Sequence, residues 1–341
     1  MKIKILCTLG PASFDRAVIE GLDERGVDLY RINLSHTAPE AIAPTIDLVR
    51  RYSATPICLD SEGPQVRCGA VDGEVVLEQE ARITLTARSV PGSRHEITLW
   101  PRSVFDVLQP GSLVSIDFDG ALLRVVDVDG TDAAAVVVRP GQVRSNKAVT
   151  VDTHLELPPL SEKDLLAIEI GSRYDITHYA LSFATRAEDV ENLRSLAPAG
   201  AHVIAKIESR AGVRAMDGII EVADSVLIDR GDLSREVPLE QVPYYQKAIV
   251  RRANRWNRPV YVATNLLESM VTSLVPTIAE ANDIANTLLD GVHGLVLAAE
   301  TAVGRDPVGA LDIVLRAIDA FDRANDTRSL EETATSLPAA V

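Results

Sequence analysis

Residues 202–234 read HVIAKIESRAGVRAMDGIIEVADSVLIDRGDLS. Two short apolar runs, His202–Ile207 and Ser225–Ile228, flank a helical pattern over Gly212–Val222. A strand apolar on both faces, then a helix, then another such strand is the repeating unit of a parallel sheet covered on both sides. Charge follows each run: Lys206 and Glu208 after the first, Arg230 and Asp232 after the second. Lys206 and Glu208 alternate with Ile207, so both point to one face of the strand.

The same rhythm extends in both directions. Strands are expected at Ile3–Leu9, Leu29–Leu34, Pro56–Asp60, Ile176–Phe183, Val260–Ala263 and Gly294–Ala298, which with the first two makes eight. Helical patterns lie between them at Arg16–Arg25, Ala41–Tyr52, Glu162–Arg173, Ala187–Leu196, Tyr244–Arg255 and Ala279–Leu289, and Pro307–Arg323 follows the last strand. Eight such units predict an α/β fold, a closed (β/α)8 barrel with helices outside. The stretch 69–151 breaks the rhythm. It is rich in Val, Thr and Ile, with turn signals at Asp72-Gly73, Pro91-Gly92, Pro110-Gly111, Asp119-Gly120 and Asp129-Gly130. That spacing predicts a small all-β domain inserted after the third strand. The barrel then comprises 1–68 and 152–325, and 326–341 reads as a frayed tail.

The 341 residues are 46% apolar and 24% charged, enough for a large core and too apolar for disorder. Forty-nine Asp and Glu against 34 Lys and Arg give a formal charge of −15. That excess argues against nucleic acid or anionic lipid as partner, since either needs a basic face. A small anionic substrate held by local cations and a metal remains compatible. Cys7, Cys58 and Cys68 are an odd set without metal-ligand spacing and cannot form a disulfide framework, and Cys7 and Cys58, inside apolar runs, read as buried thiols. The N-terminal apolar run is short for a signal peptide and no stretch reaches about 18 apolar residues, so a cytoplasmic protein without a membrane span is expected. His95, His154, His178, His202 and His293 are scattered and read as structural, and Trp256 as packing or interface.

In such barrels the chemistry sits at the C-terminal strand ends. Those ends carry Arg31, Asn33 and Ser35; Asp60 and Ser61; Lys206 and Glu208; Arg230 and Asp232; Thr264; and Glu300. Glu208 and Asp232 are hard oxygen donors suited to Mg²⁺ or Mn²⁺. Lys206, Arg31 and Arg67 are cations able to clamp a phosphoryl group. Backbone N–H groups around Gly231 and Asp232 suit a carboxylate.

Nine blocks carry a resemblance: KILCTLGPAS near the N-terminus, RINLSH from Arg31, LDSEGPQVRCG from Leu59, LPPLSEKD from Leu157, AKIESRAGV from Ala205, DRGDLS from Asp229, ATNLLESM from Ala263, PTIAEANDIAN from Pro276 and ETAVG from Glu300. In this order and at these spacings the chain resembles the pyruvate kinase family, to about Arg323. The resemblance implies a TIM barrel with a mobile β-barrel lid, phosphoryl transfer between phosphoenolpyruvate and ADP, and a divalent metal. It implies that Lys206 stabilises the phosphoryl in flight, that Glu208 and Asp232 hold the metal, and that Thr264 lies near the protonated carbon. The carboxylate would rest on the backbone of Gly231 and Asp232. Arg31 and Arg67 would contact phosphates, Pro11, Asn33 and His36 would help hold the adenine nucleotide, and Lys147 would reach phosphate from the lid. Asn33, Ser35, Asp60 and Ser61 would form a K⁺ site.

The chain also departs from the family. It ends after the eighth helix, so a C-terminal allosteric domain and regulation through it are not expected, and a homodimer through the barrel domain stays open where a tetramer does not fit. TKGPEIR reads SEGPQVR, placing Glu62 for Lys and Gln65 for the Glu associated with potassium dependence, which leaves the K⁺ requirement open. ARGDLG reads DRGDLS, placing Asp229 for Ala beside the metal and carboxylate site. PTRAE reads PTIAE, with Ile278, and SGETAKG reads AAETAVG, with Ala298 and Val303. A carboxylate at Asp229 repels an anionic substrate, binds a cationic or hydroxylated group, or pairs with a neighbouring Arg. Two other functions therefore stand beside the kinase. One is a repurposed enzyme acting on a different hydroxy or keto acid, as a kinase or a metal-dependent enolate lyase. The other is a catalytically silent binding protein, which retention of Lys206, Glu208 and Asp232 counts against.

Overall fold

The computed structural model describes residues 2–117, 120–153, 155 and 157–325. The expected tail, His154 and the Asp119 half of one turn signal lie outside the described residues. The chain divides into two compact units, Met1–Gly63 with Pro159–Val341, and Pro64–Pro158.

In the first unit eight parallel strands close into a barrel in chain order, the first pairing with the last through Lys4 opposite Gly294. They are Lys4–Leu9, Leu29–Asn33, Ile57–Asp60, His178–Leu181, His202–Lys206, Ser225–Asp229, Val260–Ala263 and Gly294–Leu297. Strand parity divides their side chains into two sets. Leu6, Leu29, Cys58, Ala180, Ile204, Leu227, Tyr261, Ala263 and Val296 form a core of their own inside the barrel. Residues of the opposite parity, such as Ile5, Tyr30, Leu59, Tyr179, Val203 and Val226, join the larger core with apolar residues of the helices.

This parity positions the site. One step beyond the inner core on the same face, strand by strand, come Thr8, Arg31, Asp60, Ser182, Lys206 and Asp229, all buried. The helices pack their amphipathic faces on the other side, Leu22 and Ile19 from Arg16–Glu24, and Ile249, Val250 and Ala253 from Val242–Arg255.

Two local features differ from the pattern read in the sequence. The single helix expected at Gly212–Val222 is two, Arg210–Arg214 and Met216–Val222, joined at Ala215. Ser209 caps the first by accepting the Gly212 N–H at 3.0 Å. A further helix, Arg230–Glu236, follows the sixth strand directly, with Asp229 as its N-cap.

In the second unit, among the described residues, seven strands close a smaller barrel: Val66–Cys68, Arg82–Thr86, Glu96–Trp100, Leu113–Ile116, Leu122–Asp129, Asp132–Arg139 and Ala148–Val151. All neighbours run antiparallel except Arg82–Thr86 with Glu96–Trp100. The Leu122–Asp129 and Asp132–Arg139 hairpin turns at Gly130, whose φ of 60° a side chain would strain. The unit is wider than 69–151. Val66–Cys68 spends its backbone hydrogen bonds on Glu96–Trp100 and Ala148–Val151, so it is built into this barrel although it precedes Gly69.

Among the described residues no helix is long and apolar enough to cross a membrane.

Candidate active site

Lys206 ends the fifth strand with its ammonium in the top layer of the large barrel, 4% exposed. Its Nζ donates to Ser182 Oγ at 3.0 Å and lies 3.1 Å from Glu208 Oε2, 3.5 Å from Asp60 Oδ2 and 3.9 Å from Asp229 Oδ2. Burial alone would push its pKa down; the three carboxylates outweigh burial and hold it above its ordinary value. Arg31 is equally enclosed. Its Nε donates to Asp60 Oδ2 at 2.5 Å and its Nη1 to Thr8 Oγ1 at 3.0 Å. Asp60 thus faces both cations of this layer.

Glu208 has no exposed surface. One oxygen accepts the backbone N–H of Phe183 at 2.7 Å. The other, Oε2, is buried and accepts no hydrogen bond; the Lys206 ammonium is near it but not aligned on it. Burial pushes the Glu208 carboxyl up to about 8, against the pull of Lys206 and with the help of Asp232, Asp229 and Asp60. Asp232, in the first turn of Arg230–Glu236, is also raised, by burial and by Asp229, and pairs with Arg235 at 3.1 Å. Asp229 goes the other way. Burial opposes its charge, but Lys206 and Arg31 hold its carboxyl below the usual range. Glu208, Asp229 and Asp232 each offer an oxygen within 4.8 Å of the others. Hard carboxylate oxygens, buried on Glu208 and Asp229 and half-buried on Asp232, one of them without a hydrogen bond, fit Mg²⁺ or Mn²⁺.

Thr264 follows the seventh strand with φ at 66° and Asn265 with φ at 54°. The left-handed region is strained for a β-branched residue and is held here by contacts. Arg230 supplies them: its Nη2 and Nε donate to the Thr264 carbonyl at 2.7 and 3.1 Å, and its Nη1 reaches Asp283 at 2.7 Å. Thr264 Oγ1 accepts the Gly231 N–H at 2.8 Å and lies 3.1 Å from Asp229 Oδ1. The Asp232 N–H donates to Asp229 Oδ1 at 3.3 Å. Both backbone donors expected for a substrate carboxylate therefore have side-chain partners of their own.

These groups border a cavity of about 720 Å³. Arg31, Asn33, Asp229, Gly231, Asp232, Arg235 and Thr264 line it on one side, and Pro11, Phe14, His36, Ala38, Ala298 and Val303 on another. Lys206 and Glu208 lie behind Asp229 rather than in the lining. Of the four residues expected for K⁺, Asn33 Oδ1 accepts the Ser35 N–H at 2.9 Å, Asp60 is taken by Arg31, and Ser61 Oγ accepts the Ser182 N–H at 2.8 Å. Their oxygens are engaged inside the protein, unlike Glu208 Oε2.

Two expected residues belong to the smaller unit. Arg67 donates to Gln65 Oε1 at 2.6 Å and to the Asn146 carbonyl at 2.9 Å, and the Lys147 ammonium lies 2.8 Å from Asp117. Glu62, the departure on the other side of the third strand, is 3% exposed and meets Lys163 at 2.5 Å, so its charge is balanced locally. Glu300 is structural: its two oxygens accept the N–H groups of Leu267 at 2.9 Å and Ala298 at 2.8 Å. Ser182 escapes the sequence reading. It ties Lys206 to Asp60 and to the Ser61 carbonyl, and its inward parity with His178 and Ala180 was the available signal.

Residues 1–311 match the family described as pyruvate kinase, barrel domain. The pyruvate kinase of Methylorubrum extorquens is 38% identical over 330 residues, covering 94% of this chain and 69% of its own. That of Thermotoga maritima is 32% identical over 351 residues, covering 99% and 75%, and that of Agrobacterium vitis 34% over 339 residues, covering 97% and 72%.

Proposed function

The chain belongs to the pyruvate kinase family and is a phosphotransferase of that kind, and from this premise we propose that it moves the phosphoryl group of phosphoenolpyruvate to ADP. In that reaction the bond from phosphorus to the enol oxygen breaks and one to a β-phosphoryl oxygen of ADP forms. The enolate left behind takes a proton on carbon and becomes pyruvate. Such a transfer asks the protein for positioning and charge rather than covalent chemistry.

The observation that carries the reading is the buried Lys206 ammonium, held charged among Asp60, Glu208 and Asp229, the last of which lines a cavity of substrate size. A fixed cation in a dry site stabilises the charge that builds on a phosphoryl group in flight, with no reorganisation at the moment of reaction. Arg31 neutralises Asp60 and presents a second cation. Thr264 holds its hydroxyl over Gly231 and toward Asp229, where it can pass a proton to the carbon. The carboxylate of the substrate takes the Gly231 and Asp232 N–H groups by displacing Thr264 and Asp229 from them. Glu208 and Asp232 are the residues that hold Mg²⁺ or Mn²⁺, which when bound supplies Lewis-acid neutralisation of the phosphoryl oxygens. Pro11, Asn33 and His36, all in the lining of the cavity, flank the nucleotide.

The test is pyruvate formation from phosphoenolpyruvate and ADP with Mg²⁺, in Na⁺ and in K⁺, beside Lys206→Ala. The reading requires pyruvate from the wild type and its loss in the variant. Equal rates in the two salts would agree with the engaged oxygens of Asn33, Asp60 and Ser61. A folded wild type that makes no pyruvate, yet is stabilised to heat by another small hydroxy or keto acid, would transfer the site to that acid.

A further inference from the structure

Asp229 borders the cavity, and the reaction above gives it neither substrate nor metal to hold. Strand parity gives it no way out: Ser225 and Leu227 precede it on the inward face, Leu227 lies in the inner core, and Asp229 itself is 4% exposed. It stands beside two other carboxylates, with one oxygen of each of the three within 4.8 Å of the others. The cations at hand are too few. Four carboxylates meet three cations: Arg31 pairs with Asp60 at 2.5 Å and acts on Asp229 from farther off, Arg235 pairs with Asp232, and Lys206 faces Glu208 at 3.1 Å, Asp60 at 3.5 Å and Asp229 at 3.9 Å. One buried oxygen of the group, Glu208 Oε2, is without a hydrogen bond. The Lys206 ammonium 3.1 Å away is shared with Asp60 and Asp229, so this buried oxygen is left under-neutralised and favours a further positive charge beside it.

We propose that Asp229 joins Glu208 and Asp232 as a third protein carboxylate for the divalent cation, so that the ion binds the free protein before any substrate arrives. The inference rests on the assignment of Glu208 and Asp232 as metal-holding residues and adds to it. Affinity for a hard cation rises with the number of charged oxygen ligands. Three carboxylates against Lys206 and Arg235 leave one negative charge, which a dication more than offsets. With two carboxylates the same cations already balance the protein charge, and the ion would depend more on oxygens brought by the substrate. At Asp229 a carboxylate thus trades attraction for an anionic substrate against a resident metal.

The experiment is Mn²⁺ titration of the substrate-free protein, read by the electron paramagnetic resonance signal of the unbound ion. Wild type, Asp229→Asn and Glu208→Gln are compared, with circular dichroism as the check on folding. Asparagine keeps an oxygen for the Asp232 N–H, so the helix cap survives the change. The expected result is a Mn²⁺ affinity at least about tenfold weaker in Asp229→Asn, as in Glu208→Gln. Unchanged affinity in Asp229→Asn with weakened binding in Glu208→Gln overturns the third ligand and leaves the two-carboxylate site standing. Unchanged affinity in both overturns the site as well. A second measurement needs no variant: in wild type labelled with ¹³C at the aspartate carboxyls, Mg²⁺ should move two buried aspartate signals, and movement of only one contradicts the proposal.

Discussion

The large barrel buries polar groups at both ends of its interior, and the two ends solve the problem differently. At the N-terminal end of the strands, His178 and His202 lie with ring centroids 5.2 Å apart and planes tilted by 34°. His202 Nε2 shares a hydrogen bond with Ser225 Oγ at 2.9 Å, and His178 Nδ1 with Thr177 Oγ1 at 2.9 Å. Both imidazoles are held neutral, chiefly by burial, with His178 lowered to about 4. At the C-terminal end, Arg31, Asp60, Lys206, Glu208, Asp229 and Asp232 keep charge or the means to regain it. A barrel needs only its ends filled and its polar atoms satisfied, which neutral groups achieve more cheaply than ions. The charges near the histidines, Lys4, Arg194 and Asp224, reach solvent, so the concentration of buried charge at the C-terminal end marks that end as the site of chemistry.

Substitutions can break or sharpen this contrast. The largest effect is expected from Lys206→Ala, which leaves Asp60, Glu208 and Asp229 facing one another. Stability in the absence of metal should fall by about 3–5 kcal/mol in urea unfolding, and kcat by about 10²–10³-fold. Glu300→Ala sits near the same mouth but removes only an acceptor from the Leu267 and Ala298 N–H groups. It should cost about 2–3 kcal/mol while kcat, measured well below the unfolding midpoint, changes little; a kcat loss like that of Lys206→Ala would move Glu300 into the catalytic group.

The two ends should also respond to pH with opposite sign. His178 is lowered from 6.5 to about 4 in the folded protein, so the unfolded chain binds more protons between those values. Stability on its account is complete above 6.5 and is lost as pH falls toward 4. Glu208 is raised from 4.5 to about 8, so the folded protein binds more protons in that window, and stability on its account falls as pH rises through it. In metal-free buffer, His178→Asn should flatten the acid-side rise of the melting temperature, and Glu208→Gln the decline toward pH 8. Identical profiles for wild type and both variants would erase the distinction between the ends. The smallest effect belongs to a residue fully turned to solvent: Ile278 is 90% exposed, and Ile278→Glu should shift stability by no more than about 0.5 kcal/mol.

The eight strands were legible because a parallel strand buried on both faces must be apolar throughout, as Ser225–Asp229 and Val260–Ala263 are but for the inward-facing ends. The convergence of Arg31, Asp60, Lys206, Glu208, Asp232 and Thr264 was legible for the same reason: closure brings strand ends to one mouth. The pairing of Val66–Cys68 was not, since it turns on long-range hydrogen bonds rather than local pattern. Nor was the fate of the departures. That Lys163 would meet Glu62, that Asp229 would cap a helix and also face Lys206, and that Thr264 would occupy the Gly231 N–H are tertiary facts with no periodicity behind them.

The central claim is that the charged mouth transfers phosphoryl from phosphoenolpyruvate to ADP, and ³¹P NMR follows that group directly. With Mg²⁺ and wild-type protein the phosphoenolpyruvate resonance should decay as the three resonances of ATP grow in equal measure, and with Lys206→Ala both changes should slow by about 10²–10³-fold. Decay of phosphoenolpyruvate into inorganic phosphate, or no change from folded wild-type protein, would contradict it.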